Sequence, residues 1–426
     1  MAQYSIIDDS LVVQNGLSVP IDAILAVFAS SVLYCTSSDE SSDVPFLNIA
    51  DVVISPKESK LQSKFLHKIP QHLDSKFSNV TVINSTFAGK QLGSKVYEQL
   101  LKPLFVVLDV AHEYIATESA TSIASFAGQL VTSNDSEKES TVIIMSGDTS
   151  IHELVNALHP ISSSRNLTLA PIPTGSGNSL TTTLSVLTPI DAISRLLFGS
   201  PHALNPFYAV FPPECKEVIP PSEADPEGKT VNLNTPDEFS DGSSWIYAFV
   251  EVSWALHAAL LGDSDSPEYR KLGNDRFKIA AKENLDRNVG WNGPIKYVTT
   301  AGVSEQEAGP HSYVLWTTST NLEPGFCIAP TAVPLSGKIQ MIEIPFMDGE
   351  EVMRLLMLAY QDGKHVEQKE VFYKEVQEAD VTVEEHEERM RRFCVDGRII
   401  IVPEGSVVSI HKGESVVRGW TLDIIV

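Results

Sequence analysis

Residues 143–153, Ile-Ile-Met-Ser-Gly-Asp-Thr-Ser-Ile-His-Glu, put a carboxylate where a proton and a phosphate could be handled together. An apolar, strand-like run ends in Ser146-Gly147-Asp148, and a helix-like run from His152 to Leu158 follows. Free N–H groups and the positive dipole end of such a helix start hold phosphate, and the carboxylate can receive a proton. Phosphoryl transfer to an alcohol needs both. Helix capping is the plain alternative: Asp148 or Ser150 would be the cap, with Glu153 at the capping-box position.

Two further turns join a strand to a helix in the same way. Asn84-Ser85-Thr86-Phe87-Ala88-Gly89-Lys90 is not a Walker loop, because Asn84 stands at the first required glycine and Gln91 where a Ser or Thr would hold magnesium. A lysine at a helix start can still pair with a nucleotide phosphate, and an exposed lysine on an ordinary turn is the alternative. In Pro171-Ile172-Pro173-Thr174-Gly175-Ser176-Gly177-Asn178, two glycines would let the backbone approach phosphate or an adenine edge. Asn178 could bond the base or ribose, and a flexible loop is the alternative.

These turns need a scaffold. Apolar runs predict strands at 79–84, 105–110, 141–146 and 167–172, and helices at 90–101, 119–132, 150–158 and 177–186. Such alternation predicts a doubly wound α/β domain, with ligands at the carboxyl ends of the strands, where all three turns fall. Beyond it, β-rich runs at 245–252, 313–317, 337–345, 368–376, 393–402 and 405–411 predict a second, mainly antiparallel β-sandwich. The expected division is an N-terminal β-rich extension at 1–75, a nucleotide-binding domain at 76–200 and a β-sandwich domain at 201–426. Short runs at 23–28, 30–34 and 52–54 make the extension's strands. An acidic, proline-rich segment at 212–242 reads as an exposed insert, and 375–388 as a solvated loop or short helix.

With 426 residues and 43% hydrophobic content, two cores can be buried. No apolar run reaches the roughly 18 residues of a membrane span, and the first ten residues lack the basic stretch of a signal peptide, so a cytoplasmic protein is expected. Cys35, Cys215, Cys327 and Cys394 form no CxxC pair and read as free thiols rather than zinc ligands. The formal net charge of −24 argues against nucleic acid and against constitutive attraction to anionic membranes.

In order, Asn-x4-Gly-Lys, Ser-Gly-Asp-x3-His-Glu and Pro-Thr-Gly-Ser-Gly-Asn resemble the catalytic domain of the diacylglycerol kinase superfamily. The His-Glu pair and Gly-Ser-Gly-Asn lean toward its sphingosine kinase and ceramide kinase branch. Asp263-Ser-Asp-Ser-Pro-Glu-Tyr-Arg-Lys-Leu-Gly-Asn-Asp-Arg-Phe277 resembles that branch's Asp…Tyr-Arg-x-Leu-Gly-x-x-Arg-Phe segment, which NAD kinases are not expected to carry. Cys394-Val395-Asp396-Gly397 resembles the family's Val-Asp-Gly element. The likeness covers roughly residues 78–425.

The resemblance implies an ATP- and Mg2+-dependent lipid kinase acting on the primary hydroxyl of a sphingoid long-chain base or related lipid, with a diacylglycerol or ceramide kinase as alternatives. By position, Asp148 would be the general base. Asn84, Lys90, Ser146, Gly147, Glu153, Gly175, Ser176, Gly177, Asn178 and Asp396 would surround ATP, and Arg270 and Arg276 would reach its phosphates. Asp263, or Asp265 in the alternate register, would recognise the lipid's polar head. The metal's ligands are not assigned. The implied partners are the lipid and, transiently, a membrane surface, with peripheral association. A homodimer is compatible with the chain.

Two positions depart from the family. Thr149 stands where the turn usually has glycine and would be strained at positive φ. Arg398 replaces the acid of Val-Asp-Gly-Glu, so it could contact phosphate, repel a metal or simply point outward. Both keep a catalytically degenerate lipid- or nucleotide-binding protein in view.

Overall fold

The computed structural model describes residues 4–7, 10–13, 17–28, 31–36, 43–50, 77–119, 121–132, 139–219, 228–235, 241–273 and 275–426. The run expected at 52–54 lies outside these, as do 220–227 and 236–240 of the acidic insert.

Three of the four strands expected in the first domain are present, and all three are buried along most of their length. The strands stand in the order His112–Ala116, Val80–Asn84, Glu139–Ser146, Arg165–Pro173 and Trp420–Ile425, every neighbour parallel. Val142, Ile144, Leu167 and Leu169 pack on one side with Phe126, Leu130, Ile151 and Leu154. Ile143, Met145 and Ile172 pack on the other with Val96, Leu100, Leu104 and Ile193. Helices therefore cover both faces, and the strands read as continuous apolar runs for that reason. The result is the doubly wound α/β domain.

One expected strand is wrong. Residues 105–110 continue a helical stretch built of Gly93–Val96, a π-wound Tyr97–Leu101 and Lys102–Leu108. Val96, Leu100 and Leu104 keep a spacing of four on the buried side, while Val106 is 73% exposed. The period is helical, and a short Val/Leu run cannot reveal that by itself. Asp109 ends the helix in the left-handed conformation, φ 52°. The sheet's edge strand, His112–Ala116, follows.

The second domain was expected to run to residue 426. Instead Trp420–Ile425 returns to the first sheet, in parallel beside Arg165–Pro173. Its Trp420, Leu422 and Ile424 join the core beneath Leu167 and Leu169. Pro201–Ala203 and Val416–Val417 join the first sheet too, antiparallel to Trp420–Ile425, and Asn321–Glu323 pairs with Phe326–Cys327 alone. The other strands of the second domain form one 13-stranded sheet, with all its pairings antiparallel among the described residues. Phe211 and Phe393 lie on strands far apart in that order, yet their rings stand 6.0 Å apart. The sheet curls over on a single core.

Two acidic stretches are more ordered than composition suggests. Within the 212–242 segment, Lys216–Ile219 and Lys229–Asn232 form a hairpin that pairs along Arg398–Ile401 at the sheet edge. Buried Cys215 and half-buried Val218, which packs against Ile399, anchor it. The stretch from 375 begins inside the strand Phe372–Thr382, where Val376, Ala379 and Val381 face the core and the acids face outward. Ile24–Val27, Val32–Thr36 and Phe46–Ala50 make a small antiparallel sheet whose Leu33 and Leu47 pack on the 93–108 helical stretch. No helix among the described residues is long and apolar enough to cross a membrane.

Candidate active site

Three loops meet at the carboxyl ends of the parallel strands. Ser85 N–H donates to Met145 O at 3.1 Å, Thr174 N–H to Ser146 O at 3.1 Å and Asp148 N–H to Gly177 O at 3.2 Å. The backbones touch so closely that a Cβ on Gly175 would lie 2.4 Å from Gly147 N, and one on Gly147 2.3 Å from Gly177 O. Neither position has room for any other residue. Lys90, Ser176 and Gly177 are exposed on this surface, and Gly175 and Asn178 are half-buried. Asn178 Nδ2 donates to Gly175 O at 2.7 Å, bracing the third loop. Asn84 and Ser146 lie beneath it. Asn84 Nδ2 donates to Ser94 Oγ and Tyr114 OH at 3.0 and 2.9 Å, and Ser146 Oγ meets Ser150 Oγ at 2.6 Å.

Asp148 opens the helix Asp148–Asn156 and turns its carboxylate across to the next helix start. Oδ2 accepts from Ser179 N–H at 2.6 Å and Oδ1 from Leu180 N–H at 3.1 Å. Burial pushes its carboxyl up to about 6, against those two amides and with help from the charge of Asp396. Asp148 therefore serves the start of the next helix and not its own, whose N-cap is Gly147 without a side-chain bond, and each oxygen keeps a second lone pair for a proton.

Residues 79–206 match the family described as diacylglycerol kinase catalytic domain. Over these residues the chain is similar to a diacylglycerol kinase catalytic domain. All three loops lie within that span. Sphingosine kinase 1 of Arabidopsis thaliana is 24% identical over 259 residues, 59% of this chain and 47% of its own length. Sphingosine kinase 1 of Rattus norvegicus is 22% identical over 357 residues, 76% of this chain and 86% of its own. The chain spans about half the length of the plant relatives it matches. A crystal structure from Bacillus anthracis str. Sterne, named provisionally as a diacylglycerol kinase, has a TM-score of 0.50 at 13% identity, over 82% of this chain and 97% of its own. At that identity the likeness concerns the fold alone.

The second domain meets the catalytic domain through the turn at Asp396, which has φ 47°. Asp396 is 5% exposed, and its oxygens accept from Phe249, Val250 and Glu251 N–H at 2.7, 3.0 and 2.8 Å. His152 Nδ1, from the Asp148 helix, lies 3.5 Å from Oδ2. These partners give Asp396 the work of joining two strands to a helix.

Glu251 was not anticipated. It is 4% exposed, and burial, with the charges of Asp396 and Asp148, holds its carboxyl well above the ordinary range. His257 Nδ1 stands 3.2 Å from its Oε2 and accepts or donates a bond with Ser253 Oγ at 2.9 Å. Burial drives His257 down to about 3, so it is neutral. Oε2 of Glu251 and the hydroxyl of nearby Tyr313 are buried with no hydrogen-bond partner. A lone acid in the apolar run Tyr247-Ala-Phe-Val-Glu-Val-Ser-Trp254 was the available signal.

In the segment 263–277, both acids expected at the lipid head are paired with arginines. Asp263 accepts from Arg389 at 2.5 Å, Arg392 at 2.9 Å and Asn284 at 3.0 Å. Burial raises its carboxyl, but these partners outweigh it and leave the net shift downward. Asp265 takes Arg270 Nε at 2.7 Å and Arg276 Nη1 at 3.3 Å. Asp265 thus meets both of the expected arginines, whereas Asp263 is held by two arginines from outside the segment.

Thr149 is helical and carries no positive φ, so the expected strain is absent. Arg398 forms a two-pronged pair with Glu217, Nε to Oε1 at 2.7 Å and Nη2 to Oε2 at 2.5 Å. Burial pushes half-buried Glu153 up to about 7, with Arg398 opposing and Glu217 adding to the shift. A carboxyl raised in the folded state contributes stability while protonated and loses it as pH climbs from its ordinary 4.5 toward 7. Glu153→Gln should therefore lose less melting temperature than the wild type between about pH 4.5 and about pH 8. Equal losses in the two proteins would contradict this.

Proposed function

We propose that the protein is an ATP- and Mg2+-dependent lipid kinase that phosphorylates the primary hydroxyl of a sphingoid long-chain base or a related lipid. The observation that carries this reading is Asp148, a carboxylate with its pKa raised to about 6 at a helix start, between two backbone loops suited to phosphate and a second domain. Asp148 takes the proton from the lipid hydroxyl as that oxygen attacks the γ-phosphorus and the bond to the ADP oxygen breaks. The loop amides and Lys90 hold the phosphates, and the close packing of Gly147 on Gly175 fixes the loops before substrate arrives. Magnesium, when bound with the nucleotide, would neutralise phosphate charge, and Asp148 and Glu153, on one helix, are the carboxylates that would hold it. The described residues hold no group of three metal-ligating side chains.

For the acceptor, the cluster of Asp148, Asp396 and Glu251 favours a cationic head over a neutral one, since the charge of Asp396 raises the proton affinity of Asp148 and of Glu251, and an ammonium beside them offsets that charge. That supports an amino-bearing sphingoid base, in line with the names of the curated relatives. It also moves head recognition from Asp263, which two arginines already occupy, to Glu251. Glu251→Gln is expected to raise KM for sphingosine about tenfold or more and leave ceramide turnover unchanged. Equal effects on both lipids would return the role to another residue.

Labelled ATP offered with magnesium and a panel of sphingosine, phytosphingosine, ceramide, diacylglycerol and monoacylglycerol tests the whole reading. Label in a long-chain base is the expected result, and no label in any lipid from folded protein would overturn it in favour of binding without transfer. That rival has lost one of its two grounds, because Thr149 is unstrained. Peripheral membrane association, a cytoplasmic location and a homodimer belong to the same proposal and are tested by vesicle co-sedimentation, fractionation and sedimentation velocity.

A further inference from the structure

A transferring phosphoryl group needs a cation aimed at it. Arg270 and Arg276 both close on Asp265. Arg398 stands in a different setting. It follows Gly397, and Thr149 Oγ1 lies 3.3 Å from where a Cβ on Gly397 would sit. The turn that carries Arg398 therefore abuts the first turn of the Asp148 helix. One turn further along that helix, Glu153 feels the charges of both Arg398 and Glu217.

Glu217 reaches Arg398 from the edge hairpin across 181 residues of sequence, and the two side chains are only 18% and 20% exposed. A guanidinium has five N–H donors, of which this pair takes two, so a phosphate oxygen can bond the others without breaking it. The pair also carries no net charge. Glu217 thereby returns the negative charge that an arginine at position 398 removes, and the site keeps its electrostatic balance.

We propose that Arg398 is the second domain's contact for the transferring phosphoryl group, and that Glu217 is a positioning residue that holds its guanidinium in place. The inference rests on the kinase reading above. Charge spreads over three equatorial oxygens in the transition state, so an arginine fixed by a fork acts by position and pre-set orientation.

The test compares full-length wild type with Arg398→Ala, Arg398→Glu and Glu217→Gln. It measures turnover alongside calorimetric binding of ADP and of the non-hydrolysable triphosphate AMP-PNP. Arg398→Ala is expected to cut kcat about a hundredfold and weaken AMP-PNP roughly tenfold while leaving ADP unchanged, because ADP lacks the group contacted. Glu217→Gln should show the same split in smaller measure, and Arg398→Glu a larger one. A structural ion pair would move both nucleotides together or neither, and that result overturns the proposal. So does any gain of activity in Arg398→Glu, which would mean the site wants an acid. If Arg398→Ala melts early, Arg398→Lys keeps the charge without the fork and is expected to show the split in reduced form. Wild type that transfers phosphate while Arg398→Ala matches it sinks this inference alone. Wild type that binds neither nucleotide sinks the kinase reading with it.

Discussion

Asp148→Asn is expected to lower phosphoryl transfer by about 10²–10⁴-fold, the usual contribution of a positioned base. The amide removes the proton acceptor and keeps the side chain's size. It can satisfy one of the two N–H groups, Ser179 and Leu180, that the carboxylate now serves. One amide left unpaired costs about 1–3 kcal/mol of stability, which is why ADP binding is the control: it should survive in the variant. In the wild type, a base raised to about 6 must be ionised to work. Turnover should therefore climb with pH below that value, close to tenfold per unit, and level off above it. Full activity in Asp148→Asn, or a rate independent of pH across that range, would remove Asp148 from the role.

The second large effect concerns stability. Asp396→Ala is expected to cost about 3–5 kcal/mol, because three backbone N–H groups at the strand bend 249–251 lose their acceptor in a dry place. For a chain of this size that corresponds to a fall in melting temperature of roughly 3–6 °C. Asp396→Asn keeps one acceptor oxygen and should fall between the two. Glu251 sits at the end of that bend, so activity toward sphingosine should drop in step with melting temperature across the series. If Asp396 instead served the nucleotide, KM for ATP would rise while the melting temperature held. Thermal melts and nucleotide titrations on the same three proteins separate these outcomes.

Local chemistry was legible in the chain. Apolar runs, glycine turns and the spacing from Asp148 to Glu153 marked the parallel strands and the three loops, because strands buried on both faces and tight turns leave compositional traces within ten residues. The same reasoning failed at 105–110, where a helix and a strand share one short apolar run and only the burial of Val96, Leu100 and Leu104 on one side decides between them. It also gave no sign of order in the acidic segment: Lys229–Asn232 is exposed as its composition suggested, yet it pairs with Lys216–Ile219, which lines the sheet edge beside buried Cys215.

The sequence by itself determined that three backbone loops and a carboxylate at a helix start would meet at the carboxyl ends of a parallel sheet. Periodicity and turn chemistry are short-range, and the chain states them directly. Only the tertiary structure decided which charges are free to act. Asp263, Asp265, Arg270 and Arg276 satisfy one another or nearby partners, Arg398 finds Glu217, and Glu251 is left buried beside Asp148 with an oxygen unpaired. Those pairings join residues up to 181 positions apart, and the energy of a charge depends on its neighbours and on its distance from water, which no local stretch of sequence encodes.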